Sequence, residues 1–292
     1  MDRAKTIAGL MALLLLSGCS RQHVLTVGSK NFTEQVVLGE IIAQHLERRL
    51  HKNVERRLNL GGTLLAHQAL LNREIDLYPE YTGTALAAVL KQPTNADPSA
   101  VLARVRSDYL RNFQVEWLDP LGIDNGFVMV IRGADARQNR LETLSDAAKA
   151  AGDWALGVGY EFQQRADGLA ALDGTYHLRW KGTPKSMDLG LLYKALEQNQ
   201  VSMIAANATD GLLSRMDLKV LRDDRHAFPP YEVCIAARVE QLEQVPGLRN
   251  ALLELSGKFT NETMQRLNYQ VDGEHLSVAK VAEGFLQRSG LQ

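Results

Sequence analysis

The chain alternates short apolar runs rich in β-branched residues with longer segments in which apolar residues recur every three or four positions. Residues 24–28 predict a strand, and residues 33–50 have the periodicity of a helix with Thr33 as the expected N-cap. The alternation continues with a strand at 54–60, a helix at 64–72 and a strand at 76–81. Strands and helices that alternate in this way are typical of an α/β fold.

The rest of the chain keeps this alternation with less regular spacing. Prolines and polar residues predict a surface loop at 91–99, and residues 133–140 have the composition of a polar turn. The remaining predictions are strands at 127–132, 154–159 and 202–206, and helices at 101–112, 144–151, 163–172, 187–199, 248–259, 263–271 and 278–287.

Two segments are candidates for connections between lobes. The strand at 127–132 is placed to carry the first crossover, and Phe228-Pro229-Pro230-Tyr231 is a stiff return crossover before a new apolar run. A chain of 292 residues also exceeds the usual size of a single core. We therefore expect lobe I to comprise residues 19–126 plus 229–292, and lobe II to comprise residues 127–228.

The first eighteen residues have the organisation of a signal peptide. Arg3 and Lys5 precede an apolar run at 7–16, which is too short for a bilayer core that needs ~20 residues. Leu16-Ser17-Gly18-Cys19 resembles a bacterial lipobox, which implies lipidation of Cys19 after removal of residues 1–18. We expect a lipid-anchored protein at the periplasmic face of a membrane or at the cell surface. The alternative is an ordinary secretory signal with a chance cysteine.

Composition and motifs exclude several classes of function. The formal net charge is −1 and there is no basic stripe, so nucleic acid is not an expected partner. With Cys19 lipidated, Cys234 has no disulfide partner and is expected to be buried. The histidines are scattered, with His45 and His51 expected on an exposed helix face, so no metal site is predicted. The sequence contains no phosphate loop, nucleophile elbow or dinucleotide fingerprint, so neither an enzyme nor a cofactor is predicted.

Five separated motifs resemble those of one transport family. They are Gly28-Ser29-Lys30-Asn31-Phe32-Thr33-Glu34-Gln35, Asp76-Leu77-Tyr78-Pro79-Glu80-Tyr81-Thr82-Gly83-Thr84, Glu161-Phe162-Gln163-Gln164-Arg165-Ala166-Asp167-Gly168, Thr209-Asp210-Gly211 and Phe228-Pro229-Pro230-Tyr231. The chain resembles the substrate-binding proteins of osmoprotectant ABC transporters, which bind glycine betaine, choline and proline betaine. The resemblance implies a two-lobed type II periplasmic-binding-protein fold with the ligand cleft between the lobes. It also implies a monomer whose partners are an ABC permease and its ATPase.

The chemistry of such ligands predicts the kind of site. A quaternary ammonium has no hydrogen to donate, so its recognition relies on cation–π contacts with aromatic faces. The resemblance implies that Tyr81 and Tyr231 correspond to tyrosines that form the family's aromatic cage around the ammonium. Phe127 stands where the family commonly has a tyrosine. Each tyrosine could instead be an edge-of-core residue.

A ligand carboxylate needs basic and hydroxyl donors on the other side of the cleft. The resemblance implies that Lys30 and Arg165 reach the ligand carboxylate from opposite lobes. Thr84 is placed to donate a hydroxyl hydrogen bond to the ligand. The alternatives are a solvated Lys30 and an Arg165 that forms an ion pair with Asp167 or Glu161.

The chain departs from the family most clearly at Asn207, where the second lobe commonly supplies a tyrosine. One missing aromatic wall could weaken a simple betaine several-fold to about thirtyfold, at ~0.5–2 kcal/mol per cation–π contact. Alternatively, Asn207 hydrogen-bonds a polar group of another ligand. Asp210, three residues on, is either a helix cap or a ligand contact.

The leading hypothesis is a lipid-anchored receptor that closes by a hinge motion on a quaternary ammonium compound and delivers it to an ABC permease. Glycine betaine, choline, carnitine, proline betaine and ergothioneine are all candidate ligands. A sensory or regulatory lipoprotein would use the same pocket, and an enzyme built on this fold is the third possibility. Loss of uptake on deletion of the gene separates the first two, and a catalytic constellation in the cleft would identify the third.

Overall fold

The computed structural model describes residues 24–93 and 95–291. The predicted signal peptide and lipidated Cys19 lie outside the described residues. The described chain forms two five-stranded mixed sheets flanked by helices, which confirms the predicted two-lobed α/β architecture. Within this part of the chain, no helix combines the length and apolar character needed to cross a membrane.

The first sheet belongs to lobe I and has the order β2-β1-β3-β10-β4. Its strand β1 lies parallel to β2 and β3, whereas β10 lies antiparallel to β3 and β4. The strands are β1 (Thr26–Gly28), β2 (Glu55–Arg57), β3 (Leu77–Tyr81), β4 (Val115–Trp117) and β10 (Val233–Arg238).

The second sheet belongs to lobe II and repeats this arrangement in the order β7-β6-β8-β5-β9. Its strand β6 lies parallel to β7 and β8, whereas β5 lies antiparallel to β8 and β9. The strands are β5 (Phe127–Arg132), β6 (Leu156–Val158), β7 (Lys185–Ser186), β8 (Met203–Asn207) and β9 (Leu218–Leu221). In each sheet the fourth strand in this order, which is antiparallel to both of its neighbours, is the one that the chain forms directly after crossing between lobes.

Two segments cross between the sheets, one between β4 and β5 and the other between β9 and β10. They lie side by side, because Asp124 and Glu232 form an antiparallel bridge and the backbone N–H of Asn125 donates to the carbonyl oxygen of Tyr231 at 3.1 Å. The side chain of Asp124 also accepts the N–H of Tyr231 at 2.8 Å. The precise boundaries at 126/127 and 228/229 stay predictions.

Helices cover both faces of each sheet. In lobe I they are α1 (Thr33–Leu50), α2 (Thr63–Leu71), α3 (Thr82–Thr84) with a π-helical continuation (Ala85–Val89), α4 (Pro98–Phe113), α10 (Val239–Gln244), α11 (Leu248–Leu253), α12 (Asn261–Asp272) and α13 (Val278–Arg288). In lobe II they are α5 (Gly133–Asn139), α6 (Leu144–Lys149), α7 (Tyr160–Gln164), α8 (Leu169–Tyr176), α9 (Leu189–Glu197) and a 3₁₀ turn (Gly211–Ser214).

Local signals explain several helix starts. Asp97 accepts the N–H of Ser99 at the start of α4, where Pro98 occupies the first turn and loses no helical hydrogen bond. Thr143 and Asp146 form a reciprocal capping box at α6. At α1 the prediction was wrong by one residue, because Phe32 is the N-cap and the Thr33 hydroxyl donates to Asp272 Oδ1 at 2.7 Å.

Each sheet supports its own hydrophobic cores. Cys234 lies fully buried in the first sheet, as predicted. His45 contradicts its prediction, since it is fully buried and its Nε2 lies 2.8 Å from the carbonyl oxygen of Ala251. The C-terminal helices α11 and α13 pack over the face of α1 that carries His45, so a polar ring became part of the interior. His51 is exposed.

Two predicted segments of lobe II were wrong. Residues 133–140 form helix α5 rather than a turn, and its few apolar residues hid the helical period. The ion pair between Arg137 and Asp217 ties this helix to the segment before β9. The predicted helix at 163–172 is two helices, α7 and α8, because residue 165 adopts an extended conformation where α7 ends. The short strands β4, β7 and β9 were not predicted.

Candidate functional site

A cavity of about 630 Å³ lies between the two sheets and is lined by residues of both lobes. This volume is within the usual range for sites that enclose a small organic ligand. All seven residues predicted as ligand contacts line it, namely Lys30, Tyr81, Thr84, Phe127, Arg165, Asn207 and Tyr231. Their contact with a ligand stays a prediction.

The topology explains why these distant residues converge. Lys30 follows β1 and Tyr81 ends β3, at the carboxyl edge of parallel strands where α/β proteins build their sites. Tyr231 lies just before β10, which runs antiparallel and therefore starts at the same edge. On the facing lobe, Phe127 begins β5 and Asn207 ends β8, and the two residues are paired across the strands.

Lys30 is a buried residue with internal partners, which contradicts the solvated alternative. Its Nζ lies 2.5 Å from Glu80 Oε1, and the two side chains are 2 % and 0 % exposed. The same Nζ stands 4.4 Å from the centroid of the Tyr81 ring and 5.8 Å from that of Phe32. The aromatic faces of lobe I therefore already hold one cation, and that cation is neutralised by Glu80.

Arg165 forms the ion pair that was its alternative role, and it also lies in the cavity wall, where contact with a ligand stays a prediction. Its guanidinium lies in the cavity wall, 5.1 Å from the ring centroid of Phe127 and 5.7 Å from that of Tyr231. It also forms a two-point ion pair with Asp167 at 2.5 and 2.9 Å, and its Nη1 lies 3.7 Å from Glu161. The positive charge of lobe II is thus largely satisfied by neighbouring carboxylates.

An aromatic cluster lies around Arg165. Phe127 makes edge contacts with Phe162, Tyr231 and Phe228 at centroid distances of 5.0, 5.5 and 5.9 Å. Phe162 was not predicted as a site residue, although it lies in the motif that contains Arg165. The Tyr231 hydroxyl donates to Asp167 Oδ2 at 2.7 Å and so links the aromatic cluster to the ion pair.

Close approach of backbone to Tyr231 requires glycine at position 83. A Cβ at Gly83 would lie 2.6 Å from the carbonyl oxygen of Pro230 and 2.8 Å from the ring of Tyr231. The Gly83 position in the Tyr-Thr-Gly-Thr motif therefore has a steric reason, since it lets α3 lie against the return crossover.

Glu34 is a site residue that sequence reasoning missed, because its place in the first turn of α1 suggested only an interaction with the helix dipole. It is buried, and its carboxylate accepts the Tyr81 hydroxyl at 2.6 Å and the Asn125 amide at 2.8 Å. The Thr209 hydroxyl of lobe II donates to it as well. Burial raises the pKa of Glu34, although these hydrogen bonds oppose the shift. The Glu34 carboxylate therefore joins both lobes and the first crossover.

Glu161 is a second residue that sequence reasoning missed, and it forms a contact between the lobes. Its Oε1 accepts the backbone N–H of Thr63 at 2.7 Å, at the amino end of α2 in lobe I. The Thr63 hydroxyl lies 3.3 Å from Oε2. Burial alone would raise the pKa of Glu161, but the charge of Lys30 and the Thr63 hydrogen bond lower it below its ordinary value. Glu161 therefore stays ionised at neutral pH and contacts the positive end of the α2 dipole.

The end of β8 carries a polar group of three residues, Asn207, Asp210 and Tyr193. Asp210 Oδ2 accepts the N–H of Asn207 at 3.1 Å and the hydroxyl of Tyr193 at 2.8 Å. Asp210 precedes the 3₁₀ turn but its side chain makes no capping hydrogen bond to it. Burial raises the pKa of Asp210 to about 6. The cap interpretation is therefore wrong, and Asp210 lies in the cavity wall.

The cavity wall carries more acidic than basic side chains. Its cations are Lys30 and Arg165, and its carboxylates are Glu34, Glu161, Asp188, Asp210 and Asp272. Across residues 24–93 and 95–291, no group of three or more histidine, cysteine, aspartate or glutamate residues is arranged to hold a metal ion. The arrangement can bind a small organic cation through aromatic faces and carboxylates.

The sequence matches a family model over residues 23–288, described as the substrate-binding domain of the ABC-type glycine betaine transport system. The carnitine transport binding protein OpuCC of Listeria monocytogenes is 33 % identical over 96 % of this chain and 94 % of its own length. The ergothioneine transport permease/ergothioneine binding protein EgtU of Helicobacter pylori is 35 % identical over 91 % of this chain. The chain spans about half of that larger protein, 48 %.

A solved structure shows the same fold. The crystal structure of a glycine betaine/carnitine/choline ABC transporter protein has a TM-score of 0.79 and 30 % identity, and the alignment covers 91 % of this chain and 99 % of the other. The family match over residues 23–288 includes both lobes and the crossovers between them. The chain belongs to the family of substrate-binding domains of ABC-type glycine betaine transport systems.

Proposed function

We propose that this substrate-binding protein takes up a quaternary ammonium compound in the cavity between its lobes and delivers it to an ABC permease. The observation that carries the proposal is the aromatic wall of Phe127, Phe162 and Tyr231 in a cavity with excess carboxylates. A quaternary ammonium gains from aromatic faces and from negative charge without donating hydrogen bonds. The binding proteins similar to this chain are named for glycine betaine, carnitine and ergothioneine.

Ligand binding would be coupled to closure of the lobes about the paired crossovers. Three contacts between lobes support this mechanism, namely those of Glu34 with Thr209, Thr63 with Glu161, and Tyr231 with Asp167. Each includes one residue of the cavity wall, namely Glu34, Glu161 or Tyr231, so a ligand in the cavity would lie beside contacts that already join the lobes. A ligand that binds the closed form better shifts the population toward it by its differential affinity. The closed form would then be the form that the permease binds.

Lys30 and Arg165 are proposed to orient the ligand rather than to supply unpaired charge. Each is held by a carboxylate, Glu80 and Asp167 respectively, so a ligand carboxylate would share the cation with an existing partner. Thr84 is proposed to donate its hydroxyl to the ligand from the first lobe. We also propose that the protein is a monomer without enzymatic activity, because its family consists of transport binding proteins.

Calorimetric titration of the purified protein tests the ligand class. The panel is glycine betaine, proline betaine, choline, carnitine and ergothioneine, with amino acids as negative controls. We expect saturable binding of at least one quaternary ammonium. In Phe127→Leu the affinity for that ligand is expected to fall about tenfold or more, because the substitution removes an aromatic face. Phe113→Leu, on α4 outside the cavity, is the matched control. The proposal would be refuted if the protein is folded and binds none of the compounds in the panel.

Transport and anchoring need separate measurements. Deletion of the gene is expected to abolish uptake of the ligand, whereas a purely regulatory protein would leave uptake intact. We further propose that Cys19 is the lipid attachment site. Cys19→Ser is expected to move the protein from the membrane fraction to the extracytoplasmic soluble fraction, and retention of the variant in membranes would refute this anchor.

A further inference from the structure

The polar group formed by Asn207 and Asp210 at the end of β8 and by Tyr193 of α9 offers a hydrogen-bond acceptor that a simple betaine, which has no donor, cannot use. Asn207 cannot supply an aromatic face, and Asp210 and Tyr193 line the same cavity. The inference below rests on the proposed function and concerns which quaternary ammonium compounds the cavity prefers.

The side chain of Asp210 is held in place by the protein. The Tyr193 hydroxyl, from α9, and the backbone N–H of Asn207 both donate to Oδ2, at 2.8 and 3.1 Å. The Asn207 side chain also hydrogen-bonds this carboxylate. An ionised carboxylate offers about four acceptor positions, so one more donor can be accommodated. Asp210 is partly exposed at the cavity wall, where a ligand can reach it.

The cations of the cavity wall are engaged elsewhere. Lys30 pairs with Glu80 in lobe I, and Arg165 pairs with Asp167 in lobe II. The groups that act on the Asp210 carboxylate are Tyr193, Asn207 and the like-charged Glu34 of α1. Since neither cation of the cavity wall pairs with Asp210, its carboxylate is available to accept a hydrogen bond from the ligand. Such a bond is strong, because hydrogen bonds to ionised groups are stronger than those between neutral groups.

The position of this group relative to the aromatic wall limits the size of the ligand. Asn207 is the cross-strand partner of Phe127, so the polar group and the aromatic face lie on adjacent strands. Directly opposed residues of an antiparallel pair have Cα atoms about 4.5–5.5 Å apart. A small molecule whose trimethylammonium contacts Phe127 can therefore reach Asp210 with a donor only a few bonds away.

We propose that Asp210, positioned by Tyr193 and Asn207, determines specificity by accepting a hydrogen bond from an O–H or N–H group of the ligand. The receptor thereby favours quaternary ammonium compounds that carry a hydroxyl or a ring N–H over betaines that carry none. A trimethylammonium group cannot satisfy Asp210 itself, because it has no hydrogen bound to nitrogen. The loss of the aromatic wall at Asn207 is offset in this class of ligand by the new hydrogen bond.

The preference is expected to depend on pH. Burial raises the pKa of Asp210 to about 6, so its acceptor strength falls as the pH drops through that value. The titratable groups that face it are Tyr193 of α9, whose pKa burial raises, and Glu34 of α1, whose pKa burial also raises. Because Glu34 can titrate too, the contribution of Asp210 is the part of the pH dependence that Asp210→Asn removes.

Matched ligand pairs test the proposal by calorimetry on the purified protein at pH 7.5 and 5. Carnitine and γ-butyrobetaine differ by one hydroxyl, and choline and propyltrimethylammonium differ by a hydroxyl in place of a methyl group. We expect each hydroxylated ligand to bind about tenfold to a hundredfold more tightly than its partner at pH 7.5, the range for a hydrogen bond to a charged group. The ratio is expected to fall at pH 5.

Asp210→Asn keeps the shape of the side chain and is expected to lower each ratio to about twofold to tenfold, the range for a neutral hydrogen bond. Tyr193→Phe removes one positioning donor and is expected to lower the ratio partly, and it serves as the second variant if Asp210→Asn fails to fold. Asp217→Asn, an exposed carboxylate outside the cavity, controls for the change of net charge.

Equal affinities within both ligand pairs, or an unchanged ratio in Asp210→Asn, would overturn the specificity role while leaving the proposed function intact. If no quaternary ammonium binds to the folded wild-type protein, the proposed function fails and the inference that rests on it fails as well. The two failures are distinguishable because binding of any quaternary ammonium in the panel tests the proposed function, whereas the affinity ratio within each matched pair tests the specificity role.

Discussion

The two walls of the cavity are built differently. On the lobe I wall, Lys30, Tyr81 and Thr84 are 2 %, 4 % and 3 % exposed, and the first two have short contacts to buried carboxylates. On the lobe II wall, Asn207 and Asp210 are partly exposed. A wall whose polar groups are already satisfied is preorganised, and a wall with accessible polar groups can discriminate between ligands.

The difference has a structural cause. Lys30 follows β1 and Tyr81 ends β3, and α1 packs against both of these strands and brings Glu34 to Tyr81. In lobe II, Asn207 is the last residue of β8 and Asp210 lies in the turn that follows it, and neither residue is fully buried. We infer that lobe I supplies a fixed surface whose polar groups are already paired, and that differences in specificity arise in lobe II.

The largest expected effect comes from breaking the lobe I wall at its buried ion pair. Glu80→Gln leaves the Lys30 ammonium buried without its counter-charge, which typically costs about 3–5 kcal/mol. The free energy of unfolding from urea titration is expected to fall by that order. The matched control is Asp217→Asn, which breaks the exposed pair with Arg137 and is expected to cost less than about 1 kcal/mol. Equal losses in the two variants would contradict a preorganised lobe I wall.

A smaller effect is expected when the lobe II wall is made more like the family pattern. Asn207→Tyr adds an aromatic face beside Phe127, and a cation–π contact of ~0.5–2 kcal/mol corresponds to an affinity gain of about twofold to thirtyfold for glycine betaine. Calorimetry measures how the substitution changes the affinity for glycine betaine and the affinity for carnitine. We expect carnitine to gain less, because the variant disturbs the polar group at Asp210. A larger gain for carnitine would argue against a discriminating lobe II.

The smallest expected effect concerns stability and reverses the usual sign of a site mutation. Burial raises the pKa of Asp210 to about 6 in the folded protein, so between about pH 4 and 6 the folded state binds more protons than the unfolded state. The stability that protonation provides is therefore lost as the pH rises through 6. Asp210→Asn does not titrate, so at pH 7.5 its melting temperature is expected to exceed that of the wild type by about 2–4 °C, for a difference near 1 kcal/mol.

Scanning calorimetry at pH 7.5 and 4 measures this effect. The gain of Asp210→Asn is expected to become small at pH 4, because Asp210 is then almost fully protonated in the folded state and most of the stability that protonation provides is regained. Asp217→Asn again serves as the control, because the ion pair with Arg137 lowers the pKa of Asp217. A variant less stable than the wild type at pH 7.5 would show that the Asp210 carboxylate contributes to folding rather than to ligand selection.

The sequence alone determined the fold class and the helices with strong periodicity. The predicted helix at 33–50 matches α1 (Thr33–Leu50), and the predicted strand at 127–132 matches β5 (Phe127–Arg132), because each has a dense and regular apolar pattern. The separated motifs pointed to the family and to seven residues that all line the cavity. These features are encoded locally, in spacing and in short runs of side chains.

The tertiary structure alone decided the partners of those residues. The contact between Lys30 and Glu80, the buried position of His45 and the bridge from Glu34 to Thr209 each join residues that are distant in sequence. Charge at one position does not reveal which carboxylate will lie beside it after the chain folds. Sparse apolar spacing likewise hid α5 and the break between α7 and α8, since packing against the rest of lobe II determines where those helices begin and end.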